Sequence, residues 1–529
     1  APHRRPVDRG RLRDLAAVGL LAVLLRAAGA GELPANLSGD EGNFGLESLR
    51  VLDGTLTQPF SAGWLSVPTL TFFFNAPTLA LFGPTLLGLR LPWILLGSAN
   101  VVLTALLAER LLGRRIGLLS GILLAGFDYH LHYSRLAINN IADPFFTTLV
   151  LWLLLRAVDD RRRSDWLAAG VALGLAQYFY FGARLIVVIA LAMLLLSRQL
   201  PLRALLRGYG RDLAAAAAAA LFTAAPLILF AVQYPDIYNA RVNQTGIVQS
   251  GWLANEVLIS GRSSLDLLAE QVVRAVGAYH FFPDRTVWFA PGRPLLDPLS
   301  GIGLLIGLLL LLRGGLQRRR LWIVPFWWLL VLLVGGALTE SPPSSQRLLS
   351  SSVPAMILLA AAVDGAARLI AQRLRRPQLQ PTAVTLAALL FVGAGSTGYF
   401  ADYTPQRTYA SRNALISTEI GRFARDTLQP GDQLVLLGPP QLSVGFGSSR
   451  FLAPLVTQTD FGPEWVAGGA PAALPAGARF AFVILPFRAA ELTALQQQFP
   501  GGELLSYPDP LDGGTLFTVY RPPLPPALP

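Results

Sequence analysis

The stretch "NLSGDEGNFGLESLRVLDG", just past the first apolar run, places Asp40 and Glu41 side by side. A carboxylate held there could act as a general base on a hydroxyl nucleophile. The pair also suits a helix start, where acids are favoured in the first turn. A second polar group lies in "GFDYHLHYSRLAINNIADPFF", which sets Asp128, His130, His132, Tyr133, Arg135, Asn139, Asn140 and Asp143 between two apolar runs. Ionisable residues at membrane depth are costly, so their gathering argues for a polar cavity. His130 and His132 are two apart, which aligns them on a strand but not on a helix, and a third metal ligand is missing. Arg90, in "LGLRLPWILLG", opens another apolar run. Such an arginine can anchor at the interface, and its planar fork also fits a lipid phosphate.

These residues sit in a chain built for a membrane. Of 529 residues, 53% are hydrophobic and 14% charged, against about a quarter charged in soluble domains. The net charge of +11 comes entirely from arginine, since the chain has no lysine. The arginines cluster between apolar runs, a topology signal rather than a nucleic-acid surface. The absence of cysteine excludes disulfides, thiolate metal sites and a cysteine nucleophile.

The first apolar run, Leu15 to Gly31, is expected to be a retained helix with Arg26 snorkelling towards a headgroup. Further runs centre near Ala99, Leu123, Leu151, Leu173, Ile189, Leu221, Ile306, Leu330, Leu358 and Leu389. Together they predict about eleven spans of ~20 residues each. Basic connections such as "RAVDDRRRSD" and "RGGLQRRR" recur at every second link, which puts them and the N-terminus on the cytoplasmic side. The opposite face then carries the first loop (32–88), the long loop (233–297), "TESPPSSQR" and everything after Tyr399. In the first loop, "VPTLTFFFNAPTLALFG" reads as a re-entrant or surface helix. The long loop adds Asp284, Trp288, Tyr279 and His280, a mixture that suits a sugar-binding lid and equally an ordinary interfacial loop.

The expected division is a membrane domain, 1–402, and a small extracytoplasmic α/β domain, 403–529. In the latter, "ALISTEIGRFARDTL" and "AAELTALQQQF" read as helices, and "QLVLLG", "FAFVILP", "ELLSYP" and "TLFTVYRP" as strands. "GFGSSR" at Gly445 lacks the third glycine and the acidic partner of a dinucleotide fingerprint.

The acid pair after the first span, the proline-broken aromatic stretch, "LRLPWILLG", "RLLGRRIGLLSGILLA", "HYSRLAINNIADPFF" and "SQRLLSSSVPAMILLAAAV" occur in an order that resembles one family. This is the polytopic glycosyltransferases that use polyprenyl-phosphate sugars, the GT-C group that includes the protein O-mannosyltransferases and the aminoarabinose transferases of lipid A. The resemblance implies a GT-C-like membrane fold. It implies Asp40 as catalytic base with Glu41 as its paired acid, and Arg90 at the lipid phosphate, with Arg135 and Arg347 as further donor-binding candidates. His132, Tyr133, Asp143, Tyr279 and His280 are candidates for the substrate pocket. Departures from the family pattern are the glycine after the acid pair and "FFF" in place of a tyrosine-rich run. The expected partners are a polyprenyl-phosphate sugar donor, membrane lipid and an acceptor protein, lipid or glycan, with no nucleic acid. Neither a cofactor nor a catalytic metal is expected. The expected reaction is inverting sugar transfer to a hydroxyl at the outer face of a bacterial plasma membrane. The competing class is a transporter or flippase of a lipid-linked or anionic substrate, in which the buried ionisable groups form a pathway.

Overall fold

The computed structural model describes residues 8–197, 202–462 and 479–523. It is mostly helical, and every apolar run expected to span is a helix. Among the described residues, seven helical stretches are long and apolar enough to cross a membrane: Leu86–Leu112, Asn139–Asp159, Leu206–Gln233, Pro298–Gln317, Arg319–Ala337, Ser345–Arg373 and Leu379–Gln406. The remaining runs, α1 (Arg9–Ala27), α5 (Arg114–Gly126), α8 (Arg163–Ala176) and α9 (Ala183–Ser197), are shorter or more charged. Gly113, at φ +96, separates α5 from α4 (Leu86–Leu112), a backbone turn that favours glycine. The proline-broken stretch forms α3 (Leu70–Phe82), a short apolar helix with Pro77 inside.

The chain divides into two compact units. One comprises Ala1–Ala30, Gln58–Phe74 and Arg90–Tyr403; the other comprises Gly31–Thr57, Asn75–Leu89 and Thr404–Pro529. The first loop, read from sequence as part of the membrane domain, is thus shared between them.

In the first unit, helices approach closely where side chains are smallest. A Cβ on Gly170 of α8 would lie 2.2 Å from the Ala216 carbonyl oxygen, in α10 (Leu202–Gln233). Likewise a Cβ on Gly307 of α14 (Pro298–Gln317) would lie 1.9 Å from the Leu358 carbonyl oxygen, in α17 (Ser352–Arg373). Small residues at such crossings are the usual means of packing helices when lipid removes the hydrophobic drive.

The second unit contains a five-stranded sheet in the order β2-β1-β3-β5-β4. Strands β1 (Gln433–Leu437), β2 (Thr457–Asp460) and β3 (Phe480–Ile484) run parallel, while β5 (Thr515–Arg521) pairs antiparallel with β3 and with β4 (Glu503–Pro508). Helix α19 (Ser411–Thr427) buries Leu415, Ile416, Ile420 and Phe423 in a core with Leu434, Leu436, Val483 and Phe517. On the other face, Leu495 of α21 (Leu492–Gln498) packs with Val435, Leu437, Phe482 and Ile484. Central strands covered on both sides read as the continuous apolar runs seen in "QLVLL" and "FAFVI". β2 has no such signal, because "TQTD" is a largely exposed edge.

Candidate active site

Asp40 and Glu41 lie in the first turn of α2 (Gly39–Leu52), in the unit that holds the sheet. Ser38 precedes the helix in an extended conformation. Its Oγ accepts from the Glu41 amide at 3.1 Å, and Glu41 Oε2 accepts from the Ser38 amide at 3.2 Å. This is a capping box, in which two otherwise orphaned amides are satisfied reciprocally. The Tyr409 hydroxyl donates to the same Glu41 oxygen at 2.9 Å, and Glu41 is fully buried. Asp40 is half-buried and about 100° further round the helix. The helix-capping reading therefore applies to Glu41, whose carboxylate is built into the turn that presents Asp40.

In the other unit, Arg90 stands in the first turns of α4 and is fully buried. It lies within electrostatic reach of His132 and Arg135, both also fully buried. An interfacial anchor reaches away from the protein surface, and Arg90 does not. Arg135 donates to the carbonyls of Leu25 at 3.3 Å and Arg26 at 2.5 Å, capping the end of α1. Its guanidinium lies over the rings of Tyr399 and Phe400, at 5.7 and 5.0 Å from their centroids.

Arg26 corrects the sequence reading. It does not snorkel but is fully buried, donating to the carbonyls of Ala22, Leu124 and Ala125. Its Nη2 lies 2.8 Å from His130 Nδ1. A guanidinium only donates, so Nδ1 accepts, and the other ring nitrogen, Nε2, lies 3.1 Å from Asn100 Nδ2. His130 and His132 both lie in α6 (Asp128–Tyr133) yet turn to different neighbours. His132 Nε2 is 2.7 Å from the Trp288 carbonyl oxygen, and its Nδ1 is 3.4 Å from the Tyr399 hydroxyl.

The long loop is fastened at further points. Asp284 accepts from the Ser345 hydroxyl and from the Thr286 hydroxyl and amide, both at 2.8 Å. Burial pushes the Asp284 carboxyl above the usual range, and the hydrogen bonds from Ser345 and Thr286 oppose that shift. Tyr133 bonds the same Ser345 hydroxyl at 2.7 Å, and Tyr129 donates to the Ser345 carbonyl at 2.5 Å. Arg293 forms an ion pair with buried Asp128. Of the remaining candidates, Tyr279 is buried and bonds Ser351 at 2.7 Å, while half-exposed His280 faces the Gly301 carbonyl at 3.1 Å.

Arg347 belongs to a second cationic group. It donates to the Glu340 carbonyl at 2.7 Å, and both it and Arg241 lie within electrostatic reach of Tyr180. Asp143 acts on Tyr180 as well, and burial first, then that carboxylate, pushes the Tyr180 hydroxyl up to about 12. Gly182 abuts Asp143 so closely that a Cβ would lie 1.6 Å from Oδ2, and Oδ1 is buried without a hydrogen-bond partner. The structure therefore brings Arg90, Arg135 and His132 together, and sets Arg347 with Asp143 and Tyr180. Among the described residues, no three His, Asp or Glu side chains converge as metal ligands. Sequence reasoning missed the contacts made by Arg26, Ser345, Arg293 and Tyr409. Only the intramembrane arginine carried a signal that could have been followed further.

Residues 66–232 match the model of the dolichyl-phosphate-mannose-protein mannosyltransferase family. No curated protein matches the chain by sequence. Among solved structures, ArnT from Cupriavidus metallidurans in the apo state is similar over 97% of this chain and 98% of its own, at TM-score 0.58 and 14% identity. The same enzyme bound to undecaprenyl phosphate gives 0.55 at the same identity and coverage. The archaeal oligosaccharyltransferase AglB from Archaeoglobus fulgidus, in complex with an inhibitory peptide and a dolichol-phosphate, gives 0.51 at 14% identity. That match covers 85% of this chain and 64% of AglB.

Proposed function

We propose that this chain, which has the GT-C fold of the lipid-phosphate-dependent membrane glycosyltransferases, moves a sugar from a polyprenyl-phosphate donor to an acceptor hydroxyl. The resemblance read from its motifs is borne out by the matched family segment and by the fold shared along nearly its whole length. The donor class follows the lipid phosphates in the similar structures, one an undecaprenyl phosphate and one a dolichol-phosphate.

In the proposed reaction the acceptor oxygen attacks the anomeric carbon as its proton passes to the Asp40 carboxylate. The bond from that carbon to the phosphate oxygen breaks, and polyprenyl phosphate departs with the bonding electron pair. A single displacement of this kind inverts the anomeric centre. Negative charge grows on the phosphate as the bond breaks, so a guanidinium there lowers the barrier. Arg90 takes that role in our reading, with Arg135 and Arg347 as further donor-binding candidates. His132, Tyr133, Asp143, Tyr279 and His280 are proposed to contribute to the substrate region. The reaction takes place on the extracytoplasmic side, following the alternation of arginine clusters.

The single observation that carries this reading is the burial of Arg90 within reach of Arg135. The planar fork of a buried guanidinium suits the oxygens of a lipid phosphate. Proteoliposomes loaded with a polyprenyl-phosphate sugar and a hydroxyl acceptor test it. Transfer with inversion is expected; donor binding or translocation without transfer would favour the transporter class.

A further inference from the structure

The segment "GFGSSR" is not a dinucleotide fingerprint, yet it occupies a demanding place. We infer that the C-terminal domain is the support that aims Asp40, with Tyr409, Thr418 and Ser448 as positioning residues. This rests on Asp40 being the general base.

Gly39, Gly42 and Gly45 recur every third residue, so they share one face of α2. A Cβ on Gly39 would lie 2.7 Å from the Phe446 carbonyl oxygen, and one on Gly42 would lie 2.5 Å from the Ser448 amide nitrogen. One on Gly45 would lie 2.3 Å from the Phe451 ring. Only glycine lets α2 approach this backbone so closely. The partner is equally constrained: Gly447 has φ +93, and a Cβ there would lie 2.8 Å from the Asn43 side chain.

Hydrogen bonds hold the approach to the helix. The Leu37 amide donates to Thr418 Oγ1 at 2.9 Å, and the Leu37 carbonyl accepts from Ser448 Oγ at 2.8 Å. Asn36 donates to the carbonyls of Arg407 and Tyr409 at 2.8 and 3.0 Å and accepts from Arg407 Nε at 2.9 Å. Tyr409 secures the capping carboxylate of Glu41 from the same domain. Residues on both sides of Asp40 are therefore tied to a domain more than 360 positions away in sequence. A proton acceptor must sit within hydrogen-bond reach of the attacking hydroxyl, and small misplacements are costly in rate. Contacts this dense around one carboxylate are those of an aiming device.

A double-mutant cycle tests the inference. Tyr409→Phe keeps the ring and removes one donor to Glu41. Single-turnover transfer is expected to fall roughly three- to tenfold, with donor KM and affinity unchanged. Placed on Asp40→Asn, the same substitution should change the residual rate by less than about twofold, because its effect passes through Asp40. Gly42→Ala should reduce transfer further; if it fails to fold, Tyr409→Phe decides alone. Wild-type transfer by Tyr409→Phe, or an equal fall repeated on Asp40→Asn, overturns the inference. Normal transfer by Asp40→Asn alone would instead remove the catalytic reading on which it rests.

Discussion

Two regions of this molecule hold acids away from water, and they do so by different means. Around α2, the Glu41 carboxylate accepts from the Ser38 amide, the Ser38 hydroxyl and the Tyr409 hydroxyl. In the membrane body, Asp128 takes the charged Arg293, and Asp284 takes the Thr286 hydroxyl within the long loop and the Ser345 hydroxyl, which ties that loop to the 344–352 segment. The first arrangement fixes a backbone turn and leaves the neighbouring carboxylate, Asp40, half-exposed. The second spends its acids on holding a loop.

That contrast can be broken at Arg90. Arg90→Ala removes a buried charge-assisted contact, so donor affinity should fall by about 10²-fold, measured by titrating a polyprenyl-phosphate sugar into the detergent-solubilised protein. Arg90→Lys keeps the charge without the fork and should fall between the two. Equal affinity in all three would make Arg90 a structural residue. Next comes Asp284→Ala, which leaves the Ser345 and Thr286 donors unanswered. It should cost about 1–3 kcal/mol of stability, read as a lowered midpoint in thermal unfolding. Glu41→Gln keeps the shape but weakens the cap and should cost about 1 kcal/mol. The smallest effect is expected at Glu270, whose carboxyl is held below its usual range by Arg262 and then Arg274. A depressed acid contributes stability above its unfolded pKa and loses it as pH falls through the folded value. The pair is exposed, so Glu270→Gln should lower stability by no more than about 0.5 kcal/mol at pH 7, and by nothing measurable at pH 3.

Signals that act within a few residues were legible in sequence. The acids after Ser38 marked a helix start, and α2 begins there. Apolar runs became helices, and in the C-terminal domain the two helices read from sequence and four of the five strands among the described residues stood in the expected places, while the short helix Ser448–Leu452 was not foreseen. Span length was less legible, because α5, α8 and α9 are cut by glycine and polar breaks that hydropathy averages away. Long-range partners could not be read at all. Nothing near Arg26 announces that His130 will receive it, and snorkelling is the default only when no neighbour packs over the side chain. The glycine spacing of α2 was visible, but its meaning depends on Phe446, Ser448 and Phe451 arriving from the far end of the chain.

The central claim is that Asp40 acts on the acceptor and not on the donor. It is tested most directly by measuring donor affinity and single-turnover transfer on one preparation of Asp40→Asn. The substitution preserves shape and removes the base, so transfer should fall by roughly 10²-fold or more while donor affinity stays near wild type. Transfer close to the wild-type rate would contradict the account and move the search for a base to Asp128, Asp143 or the long loop.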